Sequence, residues 1–363
     1  MRQNKLDSLR GIASLAVVLH HACLTILPHY PWIEIFSSWW SPIRLIFVGR
    51  PAVILFFILS GFVLAISIER EMTWNYTIFA FRRICRIYIP AIAAIAFSAT
   101  LYYIVHPVDI AHQTSWFKEN WTEHLDFTKL LNQAFFLGRK QDASLNIVFW
   151  SLIIELRISL VFPALYFLSK HLSTSRSVFA MLIWIVGTET AVRLFGFDTL
   201  PYFSDSPSQA ILAWCHFIPF FYFGAMLASH RETIKFELNR SSRLVFLLAL
   251  AVALAAMTRV NDFIAGVGSG IIIALSLSDR AVLLEHKIFC WLGRISYSLY
   301  LVHVPIIFAM YYSLWQRLPP VLVIVLAVAV SICFAAVFHA LVERPSQLLG
   351  KTRWPSSDRP QRV

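Results

Sequence analysis

The sequence predicts an all-α integral membrane protein of about ten transmembrane helices with both termini in the cytoplasm. Three observations carry that prediction. Of the 363 residues, 58% are hydrophobic and only 14% charged, against about 45–50% and about 25% in soluble domains. Apolar windows close to the ~20 residues that cross ~30 Å of hydrocarbon recur along the whole chain and leave no interval long enough for a soluble domain. Lys and Arg fall in short clusters between these windows, so the net charge of +11 reads as membrane topology and not as a nucleic-acid footprint.

The expected spans follow in order. The first, Ser8 to Leu27, carries Arg10 near its start and has no small-residue cleavage site before Pro28, so it is expected to stay on the chain. The second runs from Pro51 to Ile68, and the third, Ile89 to His106, follows the basic stretch "FRRICRIYIP". A long outer loop, Pro107 to Asn146, holds Trp116, Trp121, Phe135 and Phe136 and suits a partly folded cap at the interface. The fourth to sixth spans are Ile147 to Leu168, Val178 to Leu194 and Gln209 to Ser229; the seventh is Leu244 to Met257. The eighth, Phe263 to Leu277, is the weakest because of Gly266, Gly268 and Gly270, and the last two are Leu292 to Tyr311 and Pro320 to Leu341.

With the N-terminus inside, 21 of the 31 Lys and Arg residues lie in inner segments and 9 in outer ones, with Arg157 inside a span. The excess of inner positive charge is what orients such chains. Residues 1–345 are then one polytopic domain, and 346–363 a polar cytoplasmic tail. Cys23, Cys85, Cys215, Cys290 and Cys333 show no paired spacing, so neither a disulfide framework nor a metal site is expected.

Charged residues at bilayer depth are costly and mark function unless a bland reading accounts for them. Arg10 and His21 are eleven residues apart, which on a helix puts them within about 20° of one stripe and ~16 Å apart along it. Asp7 lies one turn before Arg10, close enough to pair with it. Arg10 alone reads equally well as a snorkelling boundary marker; His21, near mid-bilayer, is a functional candidate, against which stands a histidine buried neutral and hydrogen-bonded to a neighbouring helix. His20 points about a quarter turn away.

Ser60, in "FFILSGF", reaches the same depth, although Ser60-Gly61 also suits a close helix contact. Ser151, Glu155 and Ser159 align at i, i+4, i+8 in "FWSLIIELRISLVFP". The ninth span repeats the pattern of the first: Arg294 starts it, and Ser296, Tyr300 and His303 share a face. Arg82, Arg83 and Arg86 at the inner membrane face either fix topology or, beside a catalytic cavity, grip phosphate oxygens in pairs.

Seven blocks in order then resemble acyltransferase family 3, the membrane acyltransferases that include O-antigen and exopolysaccharide O-acetylases. They are "LDSLRGIASLAVVLHHA", "LFFILSGFVL", "FRRICRIYIP", "FWSLIIE", "FIPFFYFGAMLA", "WLGRISYSLYLVHVPI" and "LVERP". The resemblance implies ten core helices in a bacterial inner membrane, with cytoplasmic acyl-CoA, acetyl-CoA being the expected form, as co-substrate. It implies a sugar or glycolipid hydroxyl as acceptor at the outer face and no metal. The family's essential pair falls on Arg10 and His21, its basic motif on Arg83 and Arg86, and its acidic residue on Glu155.

The chain departs from the family pattern at Ile54, where an acid is common, and at Leu156-Arg157, which replace a usual glutamine partner of the glutamate. It also lacks the appended hydrolase-like domain of longer relatives, so any periplasmic relay needs a separate transferase. The chemistry expected is a general base, His21, near its unperturbed pKa of about 6.5, with Arg10, Arg82, Arg83 and Arg86 on CoA phosphates. Asp7, Ser60, Ser296, Tyr300 and His303 support it, and Glu155 orients a histidine or holds the acceptor. The rival is a secondary transporter using Arg, His and Glu as a proton and substrate path, against which stands the lack of an internal repeat.

Overall fold

Each of the ten expected spans has an apolar helix in the structure, a computed structural model that describes residues 4–30, 41–71, 74–108, 110, 113–118, 120–121, 127–134, 145–195, 207–259 and 261–352. In chain order the helices are α1 (Asn4–Ile26), α2 (Gly49–Arg70), α3 (Tyr76–Val105), α4 (Ser115–Lys118), α5 (Phe127–Ala134), α6 (Phe149–His171) and α7 (Thr174–Leu194). They continue with α8 (Pro207–Ser229), α9 (Arg231–Arg240), α10 (Arg243–Met257), α11 (Asp262–Leu277), α12 (Lys287–Leu314), α13 (Pro320–Phe338) and α14 (Arg344–Thr352). No strand occurs among the described residues.

Among the described residues eight helical segments are long and apolar enough to cross a membrane, and the other two expected spans are shorter apolar helices. The other two, α10 and α11, have 15 and 16 residues, ~22–24 Å of rise, short of the ~30 Å hydrocarbon core. They pack on each other, and Gly268 presses its Cα against the Ala253 carbonyl of α10, where a Cβ would come within 2.7 Å.

Two further differences concern helix ends. The basic stretch expected ahead of the third span is the first part of a continuous 30-residue helix, α3, whose N-cap Asn75 accepts from the Ile78 amide. That helix is longer than the hydrocarbon is thick, so its first turns reach the interface. Residues 346–352, expected to begin a polar tail, are helical and pack on α3, with Gly350 against Cys85 and Arg82. A π-helical turn at His339–Glu343 joins α13 to α14, so the chain leaves the bilayer without breaking its helix. The rest of the tail lies outside the described residues.

Two parallel helix pairs organise the bundle. Between α1 and α12, Ser8 meets Cys290, Ser14 meets Ser296, His21 meets His303 and His29 meets Tyr311, every pair separated by the same 282 positions. A constant offset means that the two helices advance together. They can run this close because glycines face each other: a Cβ on Gly11 would sit 2.5 Å from the Gly293 nitrogen, and one on Gly293 2.2 Å from the Asp7 carbonyl oxygen. Small residues at the crossing are the usual way membrane helices gain packing. The α2–α8 pair uses the same device, with Gly61 against the Phe221 carbonyl and Gly224 against that of Ile58.

At the end where α2 begins, Arg50 holds Asp262 with two hydrogen bonds of 2.6 and 2.7 Å. His216 bridges Asp262 and Glu189 through its two ring nitrogens, both at 2.9 Å. This chain ties α2, α11, α8 and α7 together and is structural in its placement. At the far end of α1 and α12 the outer segment folds onto α12. The Phe117 ring packs on Phe308 and Tyr311, and buried Trp121 donates its indole N–H to the Leu145 carbonyl at 3.0 Å. Trp116 and Trp121 thus form the expected cap, whereas Phe135 and Phe136 lie outside the described residues.

Candidate functional site

A cavity of about 790 Å³ lies between α1, α2, α3, α6, α12 and α14. Its wall on α2 runs from Glu71 to Val53, ~27 Å of helix, so it is a deep slot. Polar and charged residues gather at the end where α1 starts: Asp7, Arg10, Arg70, Glu71, Arg83, Arg86, Arg294, Glu343, Arg344 and Lys351. Deeper in, Val53, Phe56, Phe57, Leu152, Ser60, Ser151, Glu155 and Tyr300 face it.

Seven of the lining residues are Arg or Lys and four are Asp or Glu. Arg10 is paired with Asp7 at 3.2 Å, one helical turn away. Arg70, Arg83, Arg86, Arg294, Arg344 and Lys351 have no ion-pair partner among the described residues, and the Arg83 Nε is buried with no hydrogen-bond acceptor. A guanidinium left so is costly unless an anion completes it. Arg82, expected with Arg83 and Arg86, does not line the cavity; it pairs with Glu71, which does.

Glu155 accepts a 2.8 Å hydrogen bond from Ser60, so its partner is the neighbouring hydroxyl and not a histidine, one of the two roles expected for it. Ser60 therefore serves twice, as the small residue beside the Gly61–Phe221 contact and as Glu155's donor. Ser151 and Tyr300 share a 2.7 Å hydrogen bond, and Ser151 also donates to the Val148 carbonyl. Ser296 lines the cavity but its hydroxyl is turned to the Gly293 carbonyl of its own helix.

The Tyr300 ring lies 6.0 Å from that of His303, which leads from the cavity to the histidine pair. His21 and His303 are nearly coplanar, 7° apart, and joined by a 2.8 Å hydrogen bond from His21 Nδ1 to His303 Nε2. The proton positions follow from the partners. His303 Nδ1 faces the Leu299 carbonyl at 3.1 Å, and a carbonyl only accepts, so Nδ1 carries the hydrogen. In the neutral ring Nε2 is then bare and accepts from His21 Nδ1–H, which leaves Nε2 of His21 as the free lone pair. His20 takes no part, its ring resting on Gly49.

Several lining residues were not expected from the sequence. Buried Glu343 accepts from Ser298 at 2.6 Å, His339 at 3.0 Å and Gln347 at 2.9 Å, held in place by the π-helical turn, a feature often kept at functional sites. The i, i+4, i+8 spacing of His339, Glu343 and Gln347 was the signal for it. Tyr297 donates to the Ile87 carbonyl at 2.7 Å, closing α12 on α3. Arg157, the basic residue inside the fourth span, does not line the cavity and stacks on Trp214 with its Cζ 4.7 Å from the ring centroid.

Comparison with curated proteins and with solved structures finds no match. A single family model does cover this arrangement of Arg10, His21, the α3 arginines and Glu155, matching residues 3–340 under the description acyltransferase domain, and on that match the chain belongs to acyltransferase family 3 and is a multi-pass membrane acyltransferase.

Proposed function

We propose that the protein transfers a short acyl group, acetyl in the first instance, from cytoplasmic acyl-CoA to a hydroxyl of a carbohydrate-type acceptor at the outer face of a bacterial inner membrane. One observation carries the donor half: six cationic side chains with no close ion pair among the described residues line one deep slot. CoA is a polyanion with a long neutral arm ending in a thioester. Its phosphates suit the guanidinium forks of Arg83, Arg86 and Arg344, and the arm suits the narrower stretch along α2 past Phe56 and Phe57. The excess of basic residues at this end supports a cytoplasmic mouth.

The reaction needs one proton moved twice. His21 Nε2 takes the proton of the acceptor hydroxyl as that oxygen attacks the thioester carbonyl. The tetrahedral intermediate collapses with cleavage of the carbon–sulfur bond, and the thiolate recovers the proton from His21. His303 keeps Nδ1 of His21 protonated by accepting its hydrogen, so the lone pair stays on the nitrogen that meets the substrate. Tyr300, which lines the slot and touches His303, donates its hydroxyl to Ser151 and so fixes the wall of the slot beside the histidine pair.

Membranes containing the protein, incubated with acetyl-CoA labelled in the acetyl group, should yield labelled carbohydrate material and free CoA in equal amounts. Movement of a substrate with no acyl-CoA consumed would instead support the transporter reading.

A further inference from the structure

We propose that the far end of the α1–α12 seam, with the outer segment folded on it, is the acceptor station, and that Trp116 is the platform on which a sugar ring docks against His21. The inference rests on the acyl-transfer reading above and adds to it where the acceptor binds and by which chemistry. The Trp116 ring lies 5.0 Å from that of His21 and only 16° from parallel. Half-buried, and tilted against Phe308 behind it, the indole keeps part of its surface open.

Beyond it, ~12 Å further along the same seam, stands a polar group that the transfer chemistry does not use. Tyr311 hydroxyl is 2.8 Å from His29 Nε2 and 2.8 Å from the Gln113 amide nitrogen. Gln113 is 8% exposed, and its amide oxygen has no partner among the described residues. Turning the amide over leaves the nitrogen end unpaired instead, so one end waits in either orientation. Trp315 flanks the group, 24° from parallel with Tyr311 and 6.0 Å from His29.

Rings presented beside an amide, a phenol and an imidazole suit a pyranose, which has an apolar C–H face and hydroxyls at its edge able to donate and accept. A simple alcohol covers the rings but leaves the amide unanswered, which is the basis of discrimination.

The test uses the full chain in lipid nanodiscs, with thiol release from acetyl-CoA read against two probes, methyl β-glucopyranoside and cyclohexanol. The glucoside should stimulate release saturably and cyclohexanol should not. Trp116→Ala should raise the half-saturating glucoside concentration by about tenfold or more, the size of one lost stacking contact, with half-saturating acetyl-CoA unmoved, while Trp116→Tyr stays near wild type. Gln113→Leu should also weaken the glucoside response, because it removes the amide that would meet the sugar's hydroxyls. Equal stimulation by cyclohexanol, no response to the glucoside, or a Trp116→Ala effect on half-saturating acetyl-CoA overturns the proposal. Wild-type protein that releases no thiol under any condition overturns the acyl-CoA reading itself.

Discussion

The histidine pair makes different demands on its two members. His21 supplies the lone pair and His303 fixes which nitrogen bears it, so replacements should separate the roles. His303→Gln keeps an acceptor oxygen for His21 Nδ1–H and should retain much of the turnover; His303→Leu frees the tautomer and should lower turnover by about a hundredfold, the low end of what a positioned base contributes, with the Michaelis constant for acyl-CoA unchanged. Steady-state kinetics at matched protein amounts check both, and equal turnover in the two variants would remove His303 from the mechanism. Arg10 gives a donor-side contrast. Arg10→Lys keeps the charge and loses the fork that can hold Asp7 and a phosphate together, so it should raise the Michaelis constant for acyl-CoA about tenfold or more. Wild-type constants would reduce Arg10 to a boundary marker. At this scale helical phase alone put His21 on the stripe of Arg10. The partner of His21 lies 282 residues away, and no local spacing reveals a contact of that range.

Among the elements, α1 and α12 are set by one backbone crossing. Gly293→Ala would drive a methyl into the Asp7 carbonyl at 2.2 Å, and since both neighbours are backbone the helices must part. The seam is in register over its length, so separation at Gly293 loosens Ser14–Ser296 and His21–His303 together. Overpacking of this kind costs about 1–3 kcal/mol; the variant should melt earlier by tryptophan fluorescence and lose most of its transfer activity. Gly187→Ala, in α7 where a Cβ meets nothing within 4 Å, is the control and should leave stability equal or up to about 1 kcal/mol higher. Hydropathy made the long helices legible because each is apolar over most of its length. It could not show that α14 is helical, since an amphipathic helix has the composition of a tail, nor that α10 and α11 run for only 15 and 16 residues, since apolar runs say nothing of where a helix is capped. Ser242 and Asn261, each accepting from backbone amides at a helix start, set those limits.

At the level of the whole molecule, charge and shape agree on direction. The slot opens at the end where α1 starts, and Lys and Arg gather there, as the proposed cytoplasmic mouth requires; the aromatic group around His29, Tyr311 and Trp315 lies at the other. The histidine pair stands between them, so under the proposed function donor and acceptor meet without either crossing the membrane. Part of this arrangement was legible in the sequence: the count of basic residues sets the expected orientation, but the slot itself arises from α1, α2, α3, α6, α12 and α14 converging, and the unpaired state of its cations depends on which acids fold elsewhere. Glu69, for example, is taken by Arg231 and Lys170. The orientation is open to a direct check with a membrane-impermeant thiol reagent, in a background from which the five native cysteines have been removed. Lys351→Cys should react only from the cytoplasmic face, as in inverted vesicles, and should be protected by CoA, because it lines the mouth of the slot. Gln316→Cys, exposed just past the end of α12, should react only in intact cells and be indifferent to CoA. Both reacting from one side would mean that α13, the helix between them, is not a single full crossing, and reaction of Lys351→Cys from outside would invert the direction of transfer along with the topology.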